Sequence, residues 1–420
     1  MAKILIWPDI YREAGHWLPC VTLAKTLIDA GHTVRFMGIE DCRAIVAPYG
    51  ATFDAIFPSI YPPGHSFESK LEPLNQRWKP HHLLPITRGE LDAQFTGSNE
   101  PDLLIGGYFT GLETLLLHRK YGVKFALITT YLRHPDDDPA IFAKRKLLNM
   151  PEAVAQLMMD SVVPPEARGI AIEDFLVPLQ NAKELIPCPR QLDYTDPDWV
   201  HRAQVTYVEP MIVRQHLAGG TIQIPVDEAV TVPQGKRVIY ATSGSMVQDY
   251  EPRARLFFKA LIAMMQAQGM SDYLLVIAAG AKLATQLRKE YSGANGLPTN
   301  VLLRDWISQL DILGVADAAF IHGGLATVKE SIWEQVPIII VPHGKDQMDN
   351  ARRIQRTGVG VVAEILDLDP QDLRTLLTKA TSSTWIRQNL IKLQAILATE
   401  DNKPAAQKLS VGIINGVLSA

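Results

Sequence analysis

Residues 319–330 read Ala319-Phe320-Ile321-His322-Gly323-Gly324-Leu325-Ala326-Thr327-Val328-Lys329-Glu330. Apolar residues deliver a histidine to two glycines, and a helical pattern begins at once. A buried strand, a tight turn and a helix make up one step of an alternating α/β layer. Glycines let a ligand come close to the backbone. The unpaired N–H groups and dipole of the new helix favour a phosphate. Thr327 lies in the first turn and can add a hydroxyl. Glu330, one turn further, can accept hydrogen bonds from sugar hydroxyls. The plain alternative is a glycine turn with a satisfied histidine and a surface glutamate. The flanking segments weigh against it. Upstream, Trp306-Ile307-Ser308-Gln309 follows a strand, where an indole stacks on a nucleobase or fills a core. Downstream, Pro342-His343-Gly344-Lys345-Asp346-Gln347 joins a strand to a helix. Asp346 and Gln347 would reach the same crevice, outside the carboxyl ends of the strands. Asp346 as a simple helix cap is the competing role.

Working outward, the same alternation fills both halves of the chain. Strands are expected at 237–242, 274–278, 300–303, 318–322 and 337–341. Helices are expected at 252–268, 309–313, 326–334 and 347–357. Near the N-terminus, residues 3–8 form an apolar run, residues 18–28 have helical spacing, and residues 33–37 form a second strand. Strand, helix, strand in this order is a βαβ unit. Further strands are expected at 103–106 and 124–129. Residues 213–235 have no clean period and carry Gly219, Gly220, Pro225, Pro233 and Gly235, which marks a linker. The expected domains are therefore 1–212, a linker at 213–235, and 236–400. Residues 401–420 end in an apolar helix that packs back on the first domain. Stretches 60–97 and 130–165 read as irregular insertions, and long loops over a rigid sheet carry recognition.

Composition narrows the class. The chain has 420 residues, 47% hydrophobic, with 41 Lys plus Arg against 45 Asp plus Glu. That balance gives no support to a nucleic-acid binder relying on bulk positive charge. Three cysteines, Cys20, Cys42 and Cys188, make neither a disulfide framework nor a cysteine-only zinc site. Asp9 and Arg12 come too early for a signal peptide, and no uncharged stretch is long enough for a membrane helix. A cytoplasmic enzyme without stable membrane insertion is expected, as monomer or homodimer.

The run Trp306, Gln309, His322-Gly323-Gly324, Thr327, Glu330, Pro337, Pro342, Asp346-Gln347 and Asn350 resembles the donor-site signature of the UDP-glycosyltransferase superfamily. Ala14-Gly15-His16-Trp17-Leu18-Pro19 is similar to that family's Gly-His-x-x-Pro loop. The likeness is greatest to bacterial natural-product members. It implies the α/β GT-B fold, two Rossmann-like parallel-sheet domains facing each other across a cleft. It also implies an inverting O-glycosyltransferase with a UDP- or dTDP-sugar as co-substrate, no cofactor and no metal. On that resemblance Trp306 stacks on the donor base, Ile307 and Gln309 belong to the same donor-binding set, and Glu330 binds the ribose. His322, with Thr327 and the helix N-terminus at Gly323-Gly324, holds the diphosphate; Ala326 stands in the donor-binding set where plant members have Asn, so one phosphate contact is missing. Ser243, Gly244 and Ser245 form the neighbouring turn, Asp346 and Gln347 contact the sugar, and His16 is the general base. The family places an aspartate after the strand 103–106 to orient that histidine. Here the position holds Gly106-Gly107, and Asp102 and Glu113 are out of register. His16 then acts alone or on another support.

Other signals are weaker. Residues 106–111 lack the Lys and Ser/Thr of a phosphate-binding P-loop, and no G-x-G-x-x-G follows the first strand. Asp136–Asp138 and Asp367–Asp369 read as solvated or capping carboxylates rather than a metal site. Lys144–Lys146 reads as a solvated helix face. Trp78, His82, Tyr108, Phe109 and Tyr131 are candidate acceptor-binding residues, and they suit an apolar secondary metabolite. A nucleotide-sugar 2-epimerase and a non-catalytic sugar-nucleotide binder are the competing functions.

Overall fold

The computed structural model describes residues 1–65, 82–195, 203–212, 230–292, 296–365 and 368–420. The chain divides into two compact units. One holds Met1–Cys188, Thr195–Ile222 and Glu400–Ala420; the other holds Pro189–Tyr194 and Gln223–Thr399. The short segment Pro189–Tyr194 falls inside the range expected for the first domain, yet it groups with the second unit.

The first unit is built on strands β1 (Lys3–Trp7), β2 (Thr33–Gly38), β3 (Thr52–Ala55), β4 (Leu103–Gly107), β5 (Lys124–Ile128), β6 (Glu184–Ile186) and β7 (Val205–Tyr207). They lie in the order β3-β2-β1-β4-β5-β6-β7, and every pairing is parallel. Ile4, Leu5, Ile6 and Trp7 are all buried, as a strand covered by helices on both faces requires. Helix α1 (Ala14–Asp29) follows β1, α2 (Gly111–Tyr121) follows β4, and α3 (Pro139–Leu148) follows β5. The stretch 130–165, expected to be irregular, is largely helical: α3 is followed by a helix at Glu152–Asp160. Asp138 explains the start of α3, because its side chain accepts from the N–H groups of Ala140 and Ile141. The C-terminal helix, here α8 (Leu409–Ser419), belongs to this unit, and its residue Ser410 hydrogen-bonds buried Glu209.

The second unit has strands β8 (Arg237–Thr242), β9 (Tyr273–Ala278), β10 (Val301–Arg304), β11 (Ala318–Ile321), β12 (Ile338–Ile340) and β13 (Gly360–Val362). Their order is β10-β9-β8-β11-β12-β13, again all parallel. Helices α4 (Glu251–Met265), α5 (Gln309–Leu313), α6 (Leu325–Trp333) and α7 (Gln347–Thr357) connect them. In each sheet the chain reverses direction across the sheet once, between β1 and β4 and between β8 and β11. In open α/β sheets, ligands bind at the strand ends where such a reversal occurs. Among the described residues no helix is long and apolar enough to cross a membrane.

Candidate functional site

Trp7 of β1 lies opposite Gly106 of β4, so the chain leaves both strands at the reversal point of the first sheet. After β1 come Pro8, buried Asp9, and then α1. His16 sits in the first turn of that helix rather than in a loop. Its Nδ1 lies 2.5 Å from Asp9 Oδ2, with the carboxylate side chain 2% exposed and the imidazole 23% exposed. Asp9 Oδ1 accepts from the Tyr11 N–H at 3.3 Å. A carboxylate only accepts, so the neutral ring carries its proton on Nδ1 and its lone pair on Nε2. That is the tautomer a general base needs.

Asp9 was not legible as the support of His16, although it stands seven residues ahead of it. The position expected for the supporting aspartate is closed. A Cβ on Gly106 would lie 2.0 Å from Thr114 Oγ1, and one on Gly107 would lie 1.8 Å from the Pro8 carbonyl oxygen. No side chain fits there, and the carboxylate comes from the neighbouring strand end instead. Asp102 accepts from the Lys3 N–H at 2.7 Å, at the opposite end of the sheet. Glu113 is also committed elsewhere, as described next.

An aromatic wall adjoins His16. Phe109 stacks on the imidazole with centroids 5.0 Å apart. Tyr131 stacks on Phe109 at 6.0 Å, and Tyr108 and Phe142 pack edge-on or tilted against them. Lys146 of α3 fixes this wall from behind: its Nζ donates to the Phe109 carbonyl and to Glu113, each at 2.6 Å. Burial alone would raise the Glu113 carboxyl, but Lys146 and His82 hold it down to about 2. His82 differs from its expected place in the acceptor wall. It is 4% exposed, with Nδ1 2.7 Å from the Tyr61 hydroxyl and Nε2 2.7 Å from Glu113. A fully buried carboxylate needs such partners, so His82 supports the wall from beneath. Trp78 lies outside the described residues.

In the second sheet Thr242, Ile321 and Ile340 are register neighbours across β8, β11 and β12. Ser243, His322 and the turn after β12 therefore emerge side by side. Gly323 has φ +102° and Gly324 caps α6. The His322 ring fits between two glycines: a Cβ on Gly244 would lie 2.5 Å from it, and one on Gly324 2.7 Å. Burial, with His343 nearby, lowers His322 to about 3, so the ring is neutral at physiological pH. It can serve a phosphate as a hydrogen-bond partner, not as a cation. Ser243 Oγ pairs with His343 Nε2 at 2.9 Å, and Ser245 is half-buried two residues on.

Trp306 and Ala326 are also half-buried, and Ile307 is buried. Gln309 lies at the start of α5 and links three groups. Its Oε1 accepts from the Tyr240 hydroxyl at 3.1 Å, and its Nε2 donates to Thr327 Oγ1 at 3.2 Å and to Glu330. Gln347 turns its Oε1 inward to the N–H groups of His343 and Gly344, at 2.8 and 3.2 Å. That oxygen shapes the turn. Asp346 accepts from Asn350 at 3.0 Å.

Burial pushes the Glu330 carboxyl up to about 7, against the opposing bond from Gln309. Ionisation therefore costs stability in the empty protein as pH rises from the ordinary carboxylate range through 7. Hydroxyls donating to this group favour the carboxylate, so a ligand bound through them releases protons. Nucleotide affinity is expected to rise with pH up to about 7 and level off above it. Calorimetry in buffers of different ionisation heat measures the release. Glu330→Gln should abolish it.

Residues 239–408 match the family described as UDP-glucoronosyl and UDP-glucosyl transferase. Human UDP-glucuronosyltransferases 1A9 and 1A1 are each 33% identical over 110 residues, 25% of this chain and 21% of theirs. The match spans about a fifth of the length of those curated relatives. Solved structures extend the likeness to the whole fold. The glycotransferase of kitacinnamycin superposes with TM-score 0.70 at 21% identity, covering 99% of this chain and 98% of that one. The calicheamicin glycosyltransferase CalG4 gives 0.70 at 17%, covering 100% and 99%. The spinosyn rhamnosyltransferase SpnG complexed with thymidine diphosphate gives 0.62 at 18%, covering 97% and 98%. The fold is GT-B, two Rossmann-like parallel-sheet units.

Proposed function

We propose that this protein is an inverting O-glycosyltransferase that moves a sugar from UDP or dTDP to a hydroxyl of an apolar natural-product aglycone. The observation that carries the reading is the imidazole of His16, held by Asp9 at the strand-reversal point beside an aromatic wall. Nε2 takes the proton of the acceptor hydroxyl as its oxygen attacks the anomeric carbon. The bond from that carbon to the diphosphate breaks on the opposite face, which inverts the centre. The nucleoside diphosphate leaves with its charge met by the N–H groups at the start of α6 and by Thr327 and His322. This arrangement calls for no metal. A base and such a set of donors are each worth roughly 10²–10³-fold in rate.

The half-buried ring of Trp306 stacks on uracil or thymine alike, so both donors belong in the test. The relatives named for UDP-sugars and the neighbour holding thymidine diphosphate support including each. Phe109, Tyr131 and Phe142 support an apolar or aromatic acceptor. A 2-epimerase would need acid/base carboxylates near the sugar. Asp346 and Glu330 are the carboxylates assigned to that region, so the formation of isomerised sugar is measured directly.

Incubation with UDP- and dTDP-sugars, with and without hydroxylated aglycones, tests the assignment. Acceptor-dependent release of nucleoside diphosphate, with an inverted anomeric proton coupling in the product, is expected. Isomerised sugar without acceptor identifies an epimerase. Thermal stabilisation by nucleotide with no turnover identifies a binder.

A further inference from the structure

Asn350 of α7 joins two parts of the donor site. Its Nδ2 donates to the Gly323 carbonyl at 2.8 Å and to Asp346 Oδ2 at 3.0 Å. The first is the carbonyl of the glycine turn and the second is the residue assigned to the sugar. A peptide is planar and trans, so its C=O and N–H point opposite ways. Capture of the Gly323 carbonyl therefore aims the Gly324 N–H away from Asn350. The amide orientation is itself fixed, because Arg353 Nη1 donates to Asn350 Oδ1 at 3.2 Å. Arg353 is 1% exposed. Its Nε bonds Asp193 at 2.8 Å, a residue 160 positions away in sequence, and its guanidinium lies 4.8 Å from the Tyr194 ring. Asp193 and Tyr194 end the strap Pro189–Tyr194. Arg356 anchors the same strap independently, through the carbonyls of Gln191 and Asp193.

A buried ion pair is weak evidence for stability in itself, and the strap has a second anchor. The geometry points to a further role, which rests on the donor-site reading above: we infer that Arg353, held by Asp193, is a positioning residue of the nucleotide-sugar site. It sets the Asn350 amide, which in turn sets the phosphate-facing turn and the sugar-contacting Asp346.

Arg353→Lys keeps a charge opposite Asp193 but loses the planar fork. The test measures binding of UDP, uridine, dTDP and thymidine to the full chain by calorimetry. Arg353→Lys should bind the preferred diphosphate about tenfold more weakly, the size of one lost bond to a charged partner. Its affinity for the matching nucleoside, which lacks the phosphates, should stay unchanged. Asn350→Ala should show the same pattern, and the double variant should be no weaker than Asn350→Ala alone. Wild-type diphosphate affinity in Arg353→Lys, a parallel loss for the nucleoside, or additive effects would overturn the inference. If Arg353→Lys does not fold, the diphosphate-to-nucleoside comparison in Asn350→Ala decides. A wild-type chain that binds neither diphosphate overturns the donor-site reading and this inference with it. Binding by the wild type, with no selective loss in the variants, overturns the inference alone.

Discussion

His16→Ala is expected to lower kcat by about 10²-fold or more while leaving UDP or dTDP affinity nearly intact. The loss falls on the chemical step because the imidazole belongs to the first unit, whereas the residues proposed to hold the nucleotide belong to the second. Asp9→Asn tests the support separately. It keeps the shape but removes the counter-charge of the imidazolium and no longer dictates the Nδ1–H tautomer, so kcat should fall by about tenfold or more. Moving the carboxylate to the position expected from the resemblance should not restore activity. Gly107→Asp in the Asp9→Asn background would put a Cβ 1.8 Å from the Pro8 carbonyl oxygen. Single-turnover assays with saturating donor measure these effects. Turnover unchanged in His16→Ala removes the histidine from the mechanism.

Gly244→Ala is expected to weaken UDP or dTDP binding by at least about tenfold. Two penalties combine there. Gly244 has φ +76°, where a side chain costs about 1 kcal/mol of strain. The new Cβ would also lie 2.5 Å from the His322 ring, and overpacking of that kind costs about 1–3 kcal/mol. His322 is buried between Gly244 and Gly324, so it moves only by disturbing the turn proposed to receive the diphosphate. Gly235→Ala is the control. Its φ is +80°, yet nothing lies within 4 Å of the added atom. It carries the strain alone and should lower the melting temperature without changing nucleotide affinity. Equal affinities in Gly244→Ala and the wild type would show that His322 is not part of the binding surface.

The long parallel strands were readable because burial on both faces turns them into unbroken apolar runs, as in β8, β9 and β11. Glycine and a helical period after β11 then located the turn at Gly323-Gly324 and the helix that follows it. Strands β6, β7 and β13 are three residues each, too short to leave a periodic signal. The helices at 139–148 and 152–160 were hidden by Pro139 and Pro151. Proline at a helix start is favoured, but in a stretch rich in Asp and Pro it reads as a loop. Asp9 was missed for another reason. Its contact with His16 crosses a strand-to-helix turn, where no regular spacing applies, and the resemblance pointed to Gly106-Gly107 instead. His82 was read by its loop position, whereas its environment is set by Glu113, a carboxylate buried 31 residues later. Asn350 was visible as a letter of the signature. What it holds became clear only when Gly323, Asp346 and Arg353 stood around it.

The strap at Pro189–Tyr194 bears on how chains of this fold can be recombined. A hybrid joined at residues 213–235 would take most of its second unit from one parent and its strap from the other. Unless the second parent brought an equivalent acid, Arg353 would sit sealed inside without Asp193, and removing one member of such a pair costs about 3–5 kcal/mol. Swapping halves in this scaffold therefore means transplanting two pieces of chain, not one.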